Sequence, residues 1–346
     1  MSGILITGGA GFIGSNFCHY WAKNYPKDKL VVLDALTYAG RRENIQSLEA
    51  SNGLIFIHGN ICDQALVEEL LCQHKLNTIV HFAAESHVDR SISDPDLFIK
   101  SNVVGTHSLL RAAKSVWLDK GEFSDQHRFH HVSTDEVYGS LGPNDPPFTE
   151  GTRYAPNSPY SASKAASDHL VRSYFHTFEL RTTQSNCSNN YGPYQDNEKL
   201  IPVIINSVLS GKQIPIYGDG RNIRDWLYVE DHCRAIDLIL KKGKPGEVYN
   251  IGGENEWTNI DIALFICDAV DSKLENSPAL KKKFTSALIN QDRPSKELIK
   301  FIIDRPGHDR RYAIDLNKSR KDLNYFPEEN FQSGIQKTIE WYLRRV

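Results

Sequence analysis

Few features of this sequence point to a membrane, to disulfide bonds or to nucleic acid. No apolar run is long enough to cross a bilayer, and a formal net charge of −3 argues against non-specific binding of nucleic acid. The six cysteines show no C-x-x-C spacing, so free thiols in a reducing compartment are expected, without a metal site. No basic leader precedes the apolar run that begins at Ile4, so we expect a cytoplasmic protein without a signal peptide.

Short apolar runs alternate with helical patterns along the first half of the chain. Strands are predicted at 4–7, 30–34, 54–58, 78–82 and 129–133, and helices at 12–24, 64–74, 98–117 and 161–178. This order predicts an α/β fold, a doubly wound parallel sheet covered by helices on both faces. Beyond Tyr191 the regularity falls, which predicts a smaller C-terminal α/β lobe over the carboxyl edge of the sheet, where ligands bind.

A glycine-rich turn follows the first strand. Gly8, Gly11 and Gly14 have the spacing G-x-x-G-x-x-G and precede a predicted helix. There, glycines permit a tight turn, a close approach of the backbone to pyrophosphate and close helix packing, while the helix N-terminus attracts the anion. Asp34, twenty residues after Gly14 at a strand end, can accept a hydrogen bond from a ribose hydroxyl. These residues predict a Rossmann-like dinucleotide-binding domain.

Charges near the second strand indicate which dinucleotide binds. The Asp34 carboxylate would repel a 2′-phosphate, which favours NAD over NADP, whereas Arg41 and Arg42 could accept that phosphate. We predict NAD and interpret the two arginines as solvated loop charges. Asn60-Ile61 is expected near adenine and Phe82-Ala83-Ala84 near the nicotinamide, although strand-end packing explains these residues equally well.

A tyrosine and a lysine one helical turn apart indicate the chemistry. Tyr160 and Lys164 share a helix face. Tyrosine has a reference pKa of about 10, but a lysine ammonium and a nicotinium charge would both favour the phenolate. Tyr160 could then take a hydroxyl proton as hydride leaves. The alternative is an ordinary helix start, of which Ser158-Pro159 is typical.

Two adjacent carboxyl groups add a second chemistry. Neighbouring residues on a strand point to opposite faces, so Asp135 and Glu136 can reach one substrate only if the strand ends or twists there, which Gly139 would permit. One carboxyl group can act as a base and the other as an acid. The pair indicates oxidation coupled to elimination of water, unless one of the two is a solvent-facing loop residue.

These motifs resemble the extended short-chain dehydrogenase/reductase family and, within it, the nucleotide-sugar 4,6-dehydratases. The resemblance runs from Ile4 to about Leu343 and includes TGGAGFIG (7–14), AAESHVDRS (83–91), STDEVYG (133–139), YSASKAASDHLVR (160–172), NCSNNYGPY (186–194), RDWLYVEDH (224–232) and DRPGHDRRYAID (304–315). The glycines and the Tyr-Lys pair are shared by the whole superfamily. The Asp-Glu pair distinguishes the dehydratases from related epimerases and decarboxylases.

The resemblance implies NAD as cofactor and dTDP-glucose as substrate. Tyr160, supported by Lys164 and with Thr134 hydrogen-bonded nearby, would deprotonate the 4-hydroxyl as hydride leaves C4. Glu136 would then remove the C5 proton while Asp135 protonates the departing 6-hydroxyl, and the hydride would return to C6. Alternatives are the same reaction on UDP-glucose, a 4-epimerase that would leave the carboxyl pair unexplained, and a non-catalytic NAD-binding protein.

The resemblance also implies binding residues. Cofactor contacts are expected from Gly8, Gly11, Phe12, Ile13, Gly14, Asp34, Ala35, Leu36, Thr37, Asn60, Ile61, Phe82, Ala83, Ala84, Ser86, Ser101, Tyr160, Lys164 and Asn190. Substrate contacts are expected from Ser86, Thr134, Asn189, Lys199, Leu200, Pro215, Tyr217, Arg224, Asn259 and the segment Asp304–His308. Arg224 suits a bidentate phosphate contact, with an ion pair to Asp225 or Asp231 as the alternative. Asp231 is also expected to cap the helix that follows it.

A division of the chain and a homodimer follow from the same resemblance. The NAD-binding domain would comprise 1–190 with returning segments at about 226–252 and 309–318, and the nucleotide-sugar lobe 191–225, 253–308 and 319–346. Pairing is expected through helices 98–117 and 160–178. Asn60 and Arg41 depart from the family's usual Asp and Asn, and segment 276–300 is expected to be irregular and partly exposed.

Overall fold

The structure, a computed structural model, describes residues 3–51, 53–123, 125–304 and 307–345. Its strands are β1 (Gly3–Thr7), β2 (Lys29–Asp34), β3 (Ile55–His58), β4 (Thr78–His81), β5 (Arg128–Thr134), β6 (Thr182–Cys187), β7 (Asn189–Tyr191), β8 (Ile214–Tyr217), β9 (Ile223–Tyr228), β10 (Val248–Ile251), β11 (Glu256–Thr258) and β12 (Ile299–Ile302). Its helices are α1 (Phe12–Asn24), α2 (Gln46–Ala50), α3 (Gln64–His74), α4 (Val88–Ser93), α5 (Pro95–Phe98), α6 (Gly105–Ala113), α7 (Pro159–Phe178), α8 (Leu200–Ser210), α9 (Val229–Lys242), α10 (Asn259–Glu275), α11 (Pro278–Lys283), α12 (Asn317–Leu323) and α13 (Phe331–Arg345). Across these residues, no helix has both the length and the apolar character needed to cross a membrane.

Seven parallel strands form the main sheet, in the order β10-β6-β5-β4-β1-β2-β3. Successive residues of a strand face opposite sides of a sheet. Leu5 accordingly packs on the side covered by α3, α6 and α7, whereas Ile4 and Ile6 pack on the side covered by α1 and α9. Helices on both faces confirm the predicted doubly wound α/β class.

The connectivity places a crevice at the carboxyl edge of this sheet. From β1 the chain runs outward through β2 and β3, then returns to β4 on the other side of β1. Strand order therefore reverses between β1 and β4, and ligands of open α/β sheets bind at such a switch point. The strand ends that meet there are Thr7, Asp34, His81 and Thr134.

The C-terminal lobe has its own core. It contains the three-stranded sheet β11-β9-β7 and the parallel pair β12-β8, covered by α8, α10 and α13. Segment 276–300, predicted to be irregular, instead contains α11 and leads into β12. Its apolar residues Phe284, Leu288 and Leu298 are buried in the lobe core. Much of the segment is exposed, as predicted, but its predicted irregularity is wrong, because these apolar residues are spaced irregularly among charged side chains. The predicted domain boundaries stay predictions.

Asp231 does not cap α9. The residue at the cap position is Tyr228, and Asp231 lies within the first helical turn. Its carboxylate accepts the backbone N–H groups of Glu328 and Glu329 at 3.0 Å and pairs with Arg234 at 2.7 Å. The sequence pattern was misleading because this acceptor serves a distant loop instead of its own helix.

Candidate active site

A cavity of about 540 Å³ opens at the carboxyl edge of the main sheet. The predicted site residues that line it are Gly8, Gly11, Phe12, Ile13, Gly14, Asp34, Ala35, Thr37, Asn60, Ile61, Phe82, Ala83, Ala84, Ser86, Ser101, Thr134, Asp135, Glu136, Tyr160, Lys164, Asn189, Asn190, Lys199, Leu200, Pro215, Tyr217, Arg224, Asn259 and His308. Of the other predicted residues, Leu36 and Asp304 lie beside this lining, and Arg305 and Pro306 lie outside the described residues. The individual roles of all these residues stay predictions.

At the glycine-rich turn, which lines one end of the cavity, backbone segments pack too closely to admit side chains. Gly8 has a φ of +71°, and a Cβ atom there would lie 2.6 Å from the Ala83 nitrogen. A Cβ atom on Gly14 would lie 2.2 Å from the Gly8 carbonyl oxygen. Gly11 is the cap residue of α1 and lines the cavity, so the first turn of α1 faces it. The unpaired N–H groups of a helix start favour an anion in that position.

Asp34 is fixed at the end of β2. Its Oδ1 accepts the Leu36 N–H at 2.8 Å, and its Oδ2 accepts the Ala10 N–H at 2.9 Å. Burial raises the pKa of this carboxyl group, and both hydrogen bonds oppose the rise. Each carboxylate oxygen can accept a further hydrogen bond. Asp34 is therefore both a strand-end turn residue and a cavity-lining acceptor.

The two arginines near β2 are paired with carboxylates. Arg42 Nη2 lies 2.9 Å from Glu49 Oε1, and Arg41 Nη2 lies 3.6 Å from Asp196 Oδ2. Both side chains are more than half exposed, at 57% and 54%. This arrangement supports their interpretation as loop charges and therefore supports the prediction of NAD over NADP.

β5 ends at Thr134, and the chain turns there. Asp135–Tyr138 form one 3₁₀ turn, and Thr134 Oγ1 accepts the Glu136 N–H at 3.2 Å. Gly139 leaves the turn with a φ of +96°, and a Cβ atom there would lie 2.6 Å from the Ala155 carbonyl oxygen. The predicted end of the strand is thus confirmed. It lets Asp135 and Glu136 line the same cavity.

The two carboxyl groups have different surroundings. Asp135 is 1% exposed, whereas Glu136 is half-buried. Among the described residues, Asp135 Oδ2 has no hydrogen-bond partner. Burial raises the pKa of Asp135 well above its usual value, and the charges of Glu136 and Asp225 add to the rise. Asp135 is therefore suited to donate a proton, and the more exposed Glu136 to accept one.

Tyr160 and Lys164 stand on the first two turns of α7. The helix starts with a capping box, in which Ser158 and Ser161 exchange side-chain to backbone hydrogen bonds, so the predicted helix start is confirmed. Lys164 Nζ donates to the Val132 carbonyl at 2.9 Å. Burial lowers the pKa of Lys164 to about 8, while the Asp168 charge opposes the fall.

Tyr160 requires positive charge to act as a base. Burial raises the pKa of its phenol well above the usual value, and the Glu136 charge adds to the rise. A hydrogen bond with Thr134 opposes it. Because Lys164 lines the same cavity, its ammonium is placed to favour the phenolate.

Arg224 is held rigidly at the lobe side of the cavity. Its Nη2 donates to the Asp309 carbonyl at 2.9 Å, and its guanidinium lies 4.3 Å from the centre of the Tyr312 ring. Asp225 and Asp231, the alternative ion-pair partners, both accept backbone N–H groups. A guanidinium fixed in this way is suited to planar recognition of a phosphate.

The lobe and the main sheet are linked across the mouth of the cavity. Lys199 Nζ donates to the Ser86 carbonyl at 3.2 Å, and the Tyr217 hydroxyl donates to Asp89 Oδ2 at 3.4 Å. Predicted substrate-binding residues of the lobe therefore contact the segment that follows β4. A ligand in the cavity would be enclosed from both sides.

Some lining residues were missed from the sequence. Cys187 ends β6, so the rule that ligands meet strand ends could have identified it. Tyr38 lines the cavity from the loop after β2, with its hydroxyl 2.9 Å from Ser86 Oγ and the Arg90 guanidinium 4.5 Å from its ring centre. That loop carries no local signal for the contact. Glu85, His87 and Asp196 also line the cavity.

The fold and this site define a class of nucleotide-sugar enzymes, and sequence comparison defines the family. The profile of the family described as GDP-mannose 4,6 dehydratase matches residues 5–338, so the chain belongs to that family. The chain is 50% identical over 350 residues to dTDP-glucose 4,6-dehydratase 1 of Escherichia coli (strain K12), covering 98% of this chain and 92% of the relative. The motif-based resemblance is thereby confirmed.

Solved structures agree with this placement. The chain is similar to a dTDP-glucose 4,6-dehydratase from Streptomyces venezuelae with NAD and TYD bound, with a TM-score of 0.87 and 41% identity over 99% of this chain and 97% of that one. A dTDP-glucose 4,6-dehydratase from Bacillus anthracis in complex with NAD gives a TM-score of 0.85 and 42% identity, again over 99% and 97% of the two chains.

Proposed function

We propose that the chain binds NAD and dehydrates dTDP-glucose to dTDP-4-keto-6-deoxyglucose, in the biosynthesis of rhamnose-type deoxyhexoses. The observation that carries the proposal is the turn after β5. There a buried Asp135 and a more exposed Glu136 line the same cavity as Tyr160 and Lys164. Relatives named dTDP-glucose 4,6-dehydratase match nearly the whole chain, which favours dTDP-glucose over UDP-glucose.

The residues at the sheet edge fit NAD. Gly8 and Gly14 permit a close backbone turn at which a Cβ atom would clash with neighbouring backbone, the first turn of α1 faces the cavity, and Asp34 retains acceptor capacity for a ribose hydroxyl. When bound, NAD supplies a hydride acceptor for C4 of the sugar and a hydride donor for C6. Because the hydride is returned, no second substrate is consumed.

Tyr160 acts first, as the base for the 4-hydroxyl proton. Its phenol is neutral in a buried site and becomes a base when positive charge is close. Lys164 provides one such charge from the next turn of α7. Thr134 provides a hydrogen bond at the same place. The C4–H bond breaks as hydride leaves, and a 4-ketone forms.

The twin carboxyl groups then eliminate water. The ketone acidifies the C5 hydrogen, and Glu136 removes it as a proton. Hydroxide is a poor leaving group, so Asp135 protonates the 6-hydroxyl as the C6–O bond breaks, giving water and a C5–C6 double bond. Hydride return to C6 and proton return from Glu136 to C5 complete the product. The hydrogen bonds of Lys199 and Tyr217 to the segment after β4 would help to enclose the alkene between the lobe and the sheet.

The test is incubation of the purified protein with dTDP-glucose and, separately, UDP-glucose, without added NAD. We expect mass spectrometry to show loss of water and a new 4-keto group, faster with dTDP-glucose. Unchanged mass with inversion at C4 would establish epimerisation instead. Binding of NAD with no change in either sugar nucleotide would refute the catalytic proposal.

We also propose that two copies pair through α5–α6 and α7, in the cytoplasm. Leu97, Ile99, Val104 and Phe178 lie on or beside these helices and are 40% to 52% exposed, which favours burial against a second copy. All six cysteines are unpaired, which suits a reducing compartment. Light scattering should give a dimer for the wild type and a monomer for Leu97→Lys combined with Val104→Glu. A monomeric wild type would refute the pairing.

A further inference from the structure

A buried polar cluster lies behind the Tyr160–Lys164 pair, and the reaction just described does not use all of it. Lys164, His131 and Asp168 are 4%, 0% and 2% exposed. Lys164 Nζ lies 3.4 Å from His131 Nε2, and Asp168 Oδ1 lies 3.2 Å from the same nitrogen. One ring nitrogen therefore stands between an ammonium and a carboxylate.

The imidazole between them is neutral. Burial lowers the pKa of His131 well below its usual value, and the Lys164 charge lowers it further. Among the described residues, His131 Nδ1 has no hydrogen-bond partner, so the ring makes its polar contacts through Nε2. Asp168 Oδ1 likewise has no hydrogen-bond partner among the described residues, so its approach to His131 Nε2 is a close contact and not a hydrogen bond. Lys164 and Asp168 therefore interact by charge, across a neutral ring.

Asp168 is anchored between the helix and the strand that build the active site. It lies one turn after Lys164 on α7, and its Oδ2 accepts the Ser133 hydroxyl at 2.9 Å. Ser133 directly precedes Thr134 at the end of β5. A buried ammonium without a counter-charge would be strongly destabilised. Burial raises the pKa of Asp168 to about 7, while the Lys164 charge and the Ser133 hydrogen bond oppose the rise. Above that pH the Asp168 carboxylate can supply the counter-charge.

Other titratable groups also surround this lysine. They are Tyr160 on α7, His81 on β4, His131 on β5, Glu136 in the turn after β5, and Cys187 at the end of β6; Tyr154 and His169 face Asp168. Burial lowers the pKa of both histidines and raises the pKa of the Cys187 thiol to about 12, so these three groups are neutral near pH 7. Among the carboxylates of the described residues, it is Asp168 whose charge opposes deprotonation of Lys164.

We infer that Asp168 is a positioning residue for the proposed reaction. Its charge, acting across the neutral His131 ring, keeps Lys164 protonated and so makes Tyr160 a usable base. The effect on turnover rests on the proposed function. The effect on the protonation of Lys164 does not, because it requires no substrate.

A direct test follows Lys164 by NMR in protein labelled with [ε-¹³C]lysine, with the resonance assigned by its loss in Lys164→Arg. Asp168→Asn removes the charge and keeps the shape, so we expect Lys164 to titrate about one pH unit lower, or more, than in the wild type. Asp271→Asn is the matched control, since Asp271 is also buried and accepts the Ser295 hydroxyl at 2.6 Å, but in the lobe. It should leave the Lys164 titration unmoved.

Turnover gives a second readout. In Asp168→Asn the alkaline limb of the kcat profile should move to lower pH by the same amount, because Lys164 loses its proton earlier. A residue with a merely structural role would lower kcat equally at every pH. A folded Asp168→Asn protein with an unmoved Lys164 titration would overturn the inference.

A second variant covers the case in which Asp168→Asn does not fold. Ser133→Ala removes the hydrogen bond that favours the Asp168 carboxylate, so the Lys164 titration should move in the same direction by a smaller amount. No movement in this variant would overturn the inference as well. If the wild type converts neither sugar nucleotide, the proposed function fails, and the NMR titration still decides this inference.

Discussion

Replacing Asp135 by Asn tests the proposed division of work between the two carboxyl groups. The side chain is 1% exposed, and burial raises its pKa well above the usual value, which favours the protonated form. Asn has the same shape and can donate a hydrogen bond, but it cannot give up a proton to a leaving hydroxide. Substrate binding and the first oxidation should therefore survive the change, and elimination should not.

The size of the effect follows from acid catalysis. A positioned general acid contributes roughly 10²–10⁴-fold, which corresponds to about 3–5.5 kcal/mol of barrier. We expect Asp135→Asn to slow water loss by that factor and to change hydride abstraction by less than about tenfold, since only local polarity changes there. Stopped-flow absorbance of reduced nicotinamide reports the first step, and mass spectrometry of quenched samples reports the second.

A substrate with fluorine at C6 provides the sharpest control. Fluoride leaves without a proton, so this substrate should restore elimination in Asp135→Asn but not in Glu136→Gln, which lacks the base for C5. Equal slowing of both steps in Asp135→Asn, or no rescue by fluorine, would remove Asp135 from the acid role.

Four further outcomes are expected. Tyr160→Phe should lower hydride abstraction by roughly 10²–10⁴-fold without loss of NAD or of thermal stability, and full activity would refute its assignment as base. Gly14→Ala places a Cβ atom 2.2 Å from the Gly8 carbonyl oxygen, so we expect about 1–3 kcal/mol lower stability in urea titrations and protein purified without NAD. Asp34→Ala should weaken NAD binding by roughly 10²-fold in calorimetry, because it removes a charged acceptor and leaves two N–H groups unpaired. The pKa of Asp135 is higher in the folded state than in the unfolded state, so the folded state binds more protons. The free energy of unfolding should therefore fall as the pH rises from the unfolded-state pKa through the folded-state pKa. In Asp135→Asn, thermal melts should lack that part of the pH dependence.

The sheet and its catalytic motifs could be predicted from sequence because both are local. β1, β2 and β4 are largely buried and contain short continuous apolar runs. Every predicted end of β1 to β5 falls within one residue of the observed one. The glycine turn, the Asp-Glu pair and the Tyr-Lys pair are each contained in a few consecutive residues. Their shared cavity follows from the rule that parallel strands bring their carboxyl ends to one edge.

The lobe and the deeper part of the site could not be predicted, because their contacts are not local. β7 and β11 have three residues each and exist only through pairing with β9. Phe284 and Leu288 are buried by a core assembled from distant segments. His131 was expected in a strand, but nothing in the sequence indicates its 3.2 Å approach to Asp168, 37 positions away.

In the proposed mechanism, two bases, Tyr160 and Glu136, and one acid, Asp135, act on a single hexose beside one retained dinucleotide. The most direct measurement uses dTDP-glucose with deuterium at C4, incubated with the purified protein in ordinary water without added NAD. We expect NMR of the product to show the deuterium at C6. Deuterium released to water, or retained at C4 of an inverted sugar, would contradict it.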